Sequence, residues 1–254
     1  MTIAAVGGQA GGATGSGASI SRAFPSNVSA GSLVVIVGWR YDPASNAYLA
    51  ADCSKTAGTA TIGTISLDAS FNLNDLDGSW GQVGIWTCLV TGAGSLTLQI
   101  AGGDATGAPS IATHEFTGNW DSTRFGPSSS NSTATNDTTN ANSGNATSTG
   151  AALFIGGLSV ANTGNTVTVT PDAAFTTIYE FEAGATSQPG SGIYQIVSGA
   201  TTDRAEWTIG TPNTGWCSVV AIYKEIASTT AGLDDSGIWP GFEAQSSPTV
   251  ISVW

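Results

Sequence analysis

Residues 33–39 read Leu-Val-Val-Ile-Val-Gly-Trp, an unbroken apolar run. Such a run predicts a strand whose two faces are both buried. Residues 96–100, Leu-Thr-Leu-Gln-Ile, behave differently. There Leu96, Leu98 and Ile100 alternate with Thr97 and Gln99, the period-2 pattern of a half-buried strand. Working outward, strand signals recur at 59–67, 83–90, 110–116, 151–160, 166–170, 176–181, 192–197, 204–209 and 216–224. Clusters of Gly, Pro and Asn punctuate them at the short spacing of a sandwich or barrel. The expected fold class is all-β.

Composition supports the same class. Only 9% of the 254 residues are charged, against about 25% in an average globular chain. Gly, Ser and Thr make up nearly two-fifths of the chain, and Lys occurs twice, which excludes helical bundles and coiled coils. With 41% hydrophobic residues the chain can build a core, which excludes wholesale disorder. The net charge of −12 repels phosphate backbones and anionic lipid surfaces, so neither nucleic acid nor membrane is an expected partner. No apolar run approaches the ~20 residues of a membrane span. Residues 1–20 lack the basic and apolar regions of a secretory signal, so synthesis and folding in a cytoplasm are expected. Cys53, Cys88 and Cys217 are odd in number and lack paired spacing, which argues against a disulfide framework. Cys88 and Cys217 lie in apolar runs and read as buried thiols.

The chain divides into three parts. Residues 1–18, rich in Gly and Ala, are expected to be a flexible N-terminal arm. Residues 19–227 are expected to form the β-sandwich, with halves 30–118 and 150–226 sharing one core. Between them, 17 of the 23 residues 127–149 are Ser, Thr or Asn, the composition of a low-complexity loop that could be shortened without unfolding the domain. Residues 228–254 are a C-terminal extension. The halves are pseudo-repeats: Gly31–Gly38 matches Gly150–Gly157, Asp68–Phe71 matches Asp172–Phe175, and Gly84–Trp86 matches Gly192–Tyr194, in conserved order.

Candidate chemistry is sparse. His114, the single histidine, is followed by Glu115, but no nucleophile elbow accompanies it. Its sequence-matched position in the second half is Ile222, which favours a structural role. Glu180 and Glu182 share one strand face at roughly 6.5–7 Å. That spacing is compatible with a glycosidase acid/base pair, yet two solvated carboxylates are the plainer reading. Asn72, Asn74, Asp75, Asp77 and Gly78 offer oxygen ligands, but Gly84 stands where a calcium loop needs its final acid, so a turn is expected. Trp39, Trp86 and Trp207 read as core. Trp80, Trp120, Trp239 and Trp254 lie near turns or in the tail, where an exposed ring could meet a sugar or a protein. Sequons at Asn27, Asn131, Asn136 and Asn145 follow from composition, and no glycan is read from them. No catalytic residue, cofactor or metal ligand is assigned, and no enzymatic activity is expected.

The segments "SLVVIVGW", "LVTGAGSLTLQI" and "ATHEFTGNW", the Ser/Thr/Asn spacer, and then "ALFIGGL" and "WCSVVAIYKE" together resemble β-sandwich proteins in the structural modules of tailed bacteriophages and prophages. The resemblance covers roughly residues 30–226. It implies a jelly-roll-like β-sandwich and a structural virion protein, a capsid decoration or cement protein above all. The implied partners are the major capsid protein or other virion proteins, in a homo-oligomer, with the virion as location. The alternatives are a tail-associated accessory protein and a host-recognition module that binds a surface glycan. A polysaccharide-degrading enzyme using Glu180 and Glu182 is the third. In the tail, Trp239, Phe242, Val250, Ile251 and Trp254 are the candidate assembly contacts, because apolar anchors among Gly and Pro suit an extended arm adding a strand to a neighbour. The bland alternative is a tail folded back over its own sandwich.

Overall fold

The structure is a computed structural model that describes residues 2–15, 17–40, 48–74, 80–101, 108–120, 123–133, 139–161, 167–182, 188–210 and 215–225. The described residues are almost all β, with one 3₁₀ turn at Ala50–Asp52. None of their helices is long and apolar enough to cross a membrane. The all-β sandwich expected from the sequence is the observed class.

The first half supplies β1 (Ala4–Ala5), β2 (Gly11–Thr14), β3 (Ser19–Ala23), β4 (Leu33–Arg40), β5 (Cys53–Ala57), β6 (Thr61–Ile62), β7 (Ser66–Asn74), β8 (Trp80–Gly92), β9 (Thr97–Ala101) and β10 (Ser110–Thr117). Its large sheet runs β1 and β2, β10, β4, β8, then β6 and β7; its small sheet runs β3-β9-β5. The second half supplies β11 (Phe125–Thr133), β12 (Asn140–Asn142), β13 (Ala146–Ser148), β14 (Ala152–Val160), β15 (Val169–Pro171), β16 (Thr176–Phe181), β17 (Gly190–Val197), β18 (Thr201–Asp203), β19 (Glu206–Ile209) and β20 (Trp216–Lys224). Its large sheet runs β11-β20-β14-β17-β16, its small sheet β12-β19-β15, with β13 paired to β18. Every pairing is antiparallel, and the strand order of one half repeats in the other.

Three apolar cores result rather than the single shared core expected. Val34, Ile36, Trp86, Leu98 and Ile100 fill the first sandwich. Phe154, Leu158, Ile193, Trp207 and Ile222 fill the second. A third core lies between the two large sheets, where Leu33, Val35, Val37, Trp39, Val83 and Ile85 meet Leu153, Ile155, Val219, Ala221 and Tyr223. The layers therefore run small, large, large, small. Both large sheets are covered on both faces, which is why β4 and β14 read as continuous apolar runs and are buried along their whole length.

Two expectations are corrected. The N-terminal segment is not a free arm: residues 4–5 and 11–14 pair with β10. The low-complexity stretch 127–149 is not a loop: most of β11 and all of β12 and β13 lie in it, paired with β20, β19 and β18. These two stretches are counterparts, the opening strands of their respective halves. The repeat therefore runs 4–117 and 125–224, not 30–118 and 150–226. Their small residues have a packing reason. A Cβ on Gly12 would lie 2.2 Å from the Tyr179 ring, so only glycine seats that ring. Ala141 stands directly opposite Trp207 and is fully buried beside its indole. Gly144 turns at φ 73° between β12 and β13, its N–H donating to the Asn142 side chain at 3.1 Å.

The sequence match is also one residue out of phase. Gly38 faces its own core, towards Trp86 and Ile100, whereas Gly157 faces the other half, towards Val37 and Val83. The residue that looks into the second core is Gly156, towards Ile193 and Trp207. Gly38 pairs with Ile111 and Gly156 with Val220, so the true counterpart of His114 is Tyr223, not Ile222. Likewise Phe71 and Tyr179 are counterparts, lying opposite Val83 and Gly192, so the Asp68–Phe71 match to Asp172–Phe175 is coincidental.

Candidate functional site

Of the reactive side chains singled out in the sequence, His114, Glu115 and Glu182 serve as internal braces. His114 projects from β10 into the core between the halves, 4% exposed. Its ring lies 4.7 Å from Phe116 and 5.4 Å from Tyr194 of the other half. Burial pulls its pKa down to about 4, so the imidazole is neutral at neutral pH. Its Nδ1 accepts the Glu115 N–H at 2.9 Å. Glu115 points to the opposite face and is fully buried. Its carboxylate accepts the Ser29 N–H at 2.6 Å and Gln9 Nε2 at 3.0 Å, and Gln9 also donates to the Asn27 carbonyl at 3.1 Å. The carboxylate thus ties two turns of the first half to β10.

Glu180 and Glu182 lie in different surroundings. Glu180 is exposed on β16. Burial, then the charge of Glu182, raises its pKa. Glu182 is half-buried and accepts the Val169 N–H at 3.1 Å, while its carbonyl accepts the Val167 N–H at 3.2 Å. The Glu182 side chain thereby braces the end of β16 against the start of β15.

A polar constellation that the sequence did not reveal links the halves. Arg124 Nη2 donates to Thr87 Oγ1 at 3.0 Å, Thr87 Oγ1 donates to Asp68 Oδ2 at 2.5 Å, and Tyr223 Oη donates to the same oxygen at 2.9 Å. Burial pushes the Asp68 carboxyl up, against the hydrogen bonds and the Arg124 charge that pull it down. Burial and the neighbouring Asp68 push the Tyr223 phenol well up. Its members come from β7, β8, the segment before β11, and β20, so no local spacing could have announced it. At the other end of the interface Trp39 Nε1 donates to the Gln188 carbonyl at 2.9 Å, and the Trp39 ring stacks on Tyr179 at 6.3 Å.

The remaining candidates fall as follows. Trp39, Trp86 and Trp207 are core residues, as expected. Trp120 is not the exposed ring considered above: it is 8% exposed and donates to the Phe116 carbonyl at 3.2 Å. All three cysteines are free and buried. Burial pushes the Cys88 and Cys217 thiols up to about 12, and Cys53 in the same direction. Asn72 and Asn74 sit at the end of β7. Asp75, Asp77, Gly78, Trp239, Phe242, Val250, Ile251 and Trp254 lie outside the described residues, as does the side chain of Trp80. Among the described residues no cluster of three or more His, Cys, Asp or Glu could hold a metal ion. Comparison with protein-family models, curated proteins and solved structures finds no match.

Proposed function

We propose that this chain is a structural virion protein of a tailed bacteriophage, made in the host cytoplasm and bound in many copies to the outer capsid surface as a decoration or cement protein. One observation carries the reading. Among the described residues, several side chains that could do chemistry are committed inside the fold: Glu115 and Glu182 to backbone amides, Asp68 to Thr87 and Tyr223, the thiols to the cores. Such a body suits a load-bearing part. The strand order supports a jelly-roll reading of each half. Numbering the main strands one to eight, 1-8-3-6 faces 2-7-4, with strand five carried beside strand six on the large sheet. The net charge of −12 favours a position away from packaged DNA.

Attachment falls to the tail. The edge strands β5, β7, β11 and β16 each carry a register break, which blunts edge-to-edge pairing between subunits. The apolar Trp239, Phe242 and Val250–Trp254 then supply the contacts to capsid neighbours. The burial of Trp120 removes one platform from the glycan-binding alternative. The test is cosedimentation of the full chain, and of a chain truncated after Ser228, with purified capsids of the encoding phage. The full chain is expected to pellet with capsids, and the truncated chain to fold but stay in solution. A full chain that ignores capsids, or that cleaves polysaccharide in a Glu182-dependent way, overturns the reading.

A further inference from the structure

Among the described residues each half is a continuous piece of chain with its own core, β1–β10 and then β11–β20, joined between Thr117 and Phe125. The contacts between halves are reciprocal. β7 of the first half lies against β11 and β20 of the second, while β16, the counterpart of β7, lies against β2 and β10, the counterparts of β11 and β20. That mutual exchange is the geometry of an isologous two-fold interface. The centre is nonetheless made of two unlike surfaces. Gly157 and Gly192 of the second half face Val37, Val83 and Ala112 of the first, so bulk on one side meets space on the other. A first half therefore fits a second half better than it fits another first half.

We propose that this face also recognises a second copy of the same chain. Two chains exchange halves, the first half of each closing on the second half of the other, in a two-fold dimer that repeats the intrachain contact twice. Among the described residues, the apolar contacts of the interface do not mark which chain a half belongs to. The joining stretch does, clasped by the Asn119 N–H donating to Glu225 at 3.0 Å and by Arg124 donating to Thr87 at 3.0 Å. Released from that clasp, seven residues reach about 23–25 Å at the full extension of a chain. The exchanged dimer keeps both sandwiches and all three types of core, so exchange costs the clasp and the association of two chains, and the latter is offset by raising the concentration. This goes beyond the capsid reading and does not depend on it.

The test uses full-length chains. A Cβ on Gly192 would lie 3.3 Å from the Val37 Cβ, close to disulfide spacing. Chains carrying Val37→Cys and Gly192→Cys separately are unfolded, mixed, refolded over a range of concentrations and oxidised. The expected result is a disulfide-linked dimer whose share rises with concentration. A pair with outward cysteines, Ser21→Cys and Thr208→Cys, is expected to give no such rise. The double variant Val37→Cys/Gly192→Cys in one chain is expected to close internally at low concentration. Closure in the single chain without any linked dimer from the mixture overturns the proposal. Failure of internal closure there, and in Val83→Cys/Gly157→Cys, overturns it as well, because the interface would then not be as drawn.

Discussion

Substituting Gly12 by Ala places one methyl group where the second half already has a ring. The added Cβ would stand 2.2 and 2.3 Å from Tyr179 Cδ1 and Cγ and 2.5 Å from the Ile111 carbonyl oxygen. Ordinary contact begins near 3.4 Å, so about 1 Å of separation must open between β2 and either β16 or β10. Overpacking of this kind costs about 1–3 kcal/mol. The loss of chain entropy in the unfolded state returns about 0.4–1 kcal/mol. The two ranges leave a loss of about 0–2.6 kcal/mol, about 1.3 kcal/mol at their midpoints, and at ~2–4 °C per kcal/mol for a chain of this size the midpoint is a fall in Tm of about 3–5 °C. Gly7→Ala is the control, because nothing lies within 4 Å of its Cβ position, and it stays within ~0.5 kcal/mol of the parent. Thermal melts compare the two. Adding Tyr179→Ala to Gly12→Ala is expected to recover part of the loss relative to Tyr179→Ala alone, since the two positions share one contact. Equal melting of Gly12→Ala and Gly7→Ala would refute the reasoning, for a free arm would not distinguish them.

Other outcomes follow from the same geometry. His114 is neutral in the folded protein to about pH 4 but protonates near 6.5 when unfolded, so its contribution is full above 6.5 and is lost as pH falls towards 4; the difference in melting temperature between the parent and His114→Phe should shrink across that window. Asp68, raised in the fold, works in the opposite direction on acidification, so the comparison must be made between variants rather than on the parent alone. Deleting residues 140–148 removes β12 and β13 and should abolish the cooperative melt of the second half, where a loop would tolerate the loss. With Cys53, Cys88 and Cys217 buried and their thiols raised, none should react with a thiol reagent at pH 8 until denaturant is added, and rapid labelling of the native protein would contradict that burial.

The strands that carry large apolar residues were legible in the sequence. Leu33–Trp39 and Leu96–Ile100 announced both their period and their burial. The strands made of small residues were not. Gly11–Thr14 and Asn140–Asn142 have no apolar period of their own, because the large partner that fills the space, Tyr179 or Trp207, sits on a distant strand. The duplication was visible, but its phase was not. Aligning identical glycines set Gly38 against Gly157, and in a strand a slip of one residue exchanges inside for outside. The Asp68–Thr87–Arg124–Tyr223 constellation was invisible for a related reason: its parts span 155 positions and meet only when the two large sheets close. The sequence match of His114 to Ile222 points to the wrong counterpart, and the imidazole sits in the core between the halves through its contacts with Phe116 and Tyr194.

The central claim is that two equivalent sandwiches each begin with a strand drawn from a stretch that looks unstructured. Hydrogen exchange read by mass spectrometry on the native full chain addresses it directly. The account predicts that peptides covering residues 11–14, 128–133 and 140–142 retain slowly exchanging amides, because their backbones pair with β10, β20 and β19. Exchange of these three segments at the rate of an unfolded chain, with β4 and β14 still protected, would contradict it.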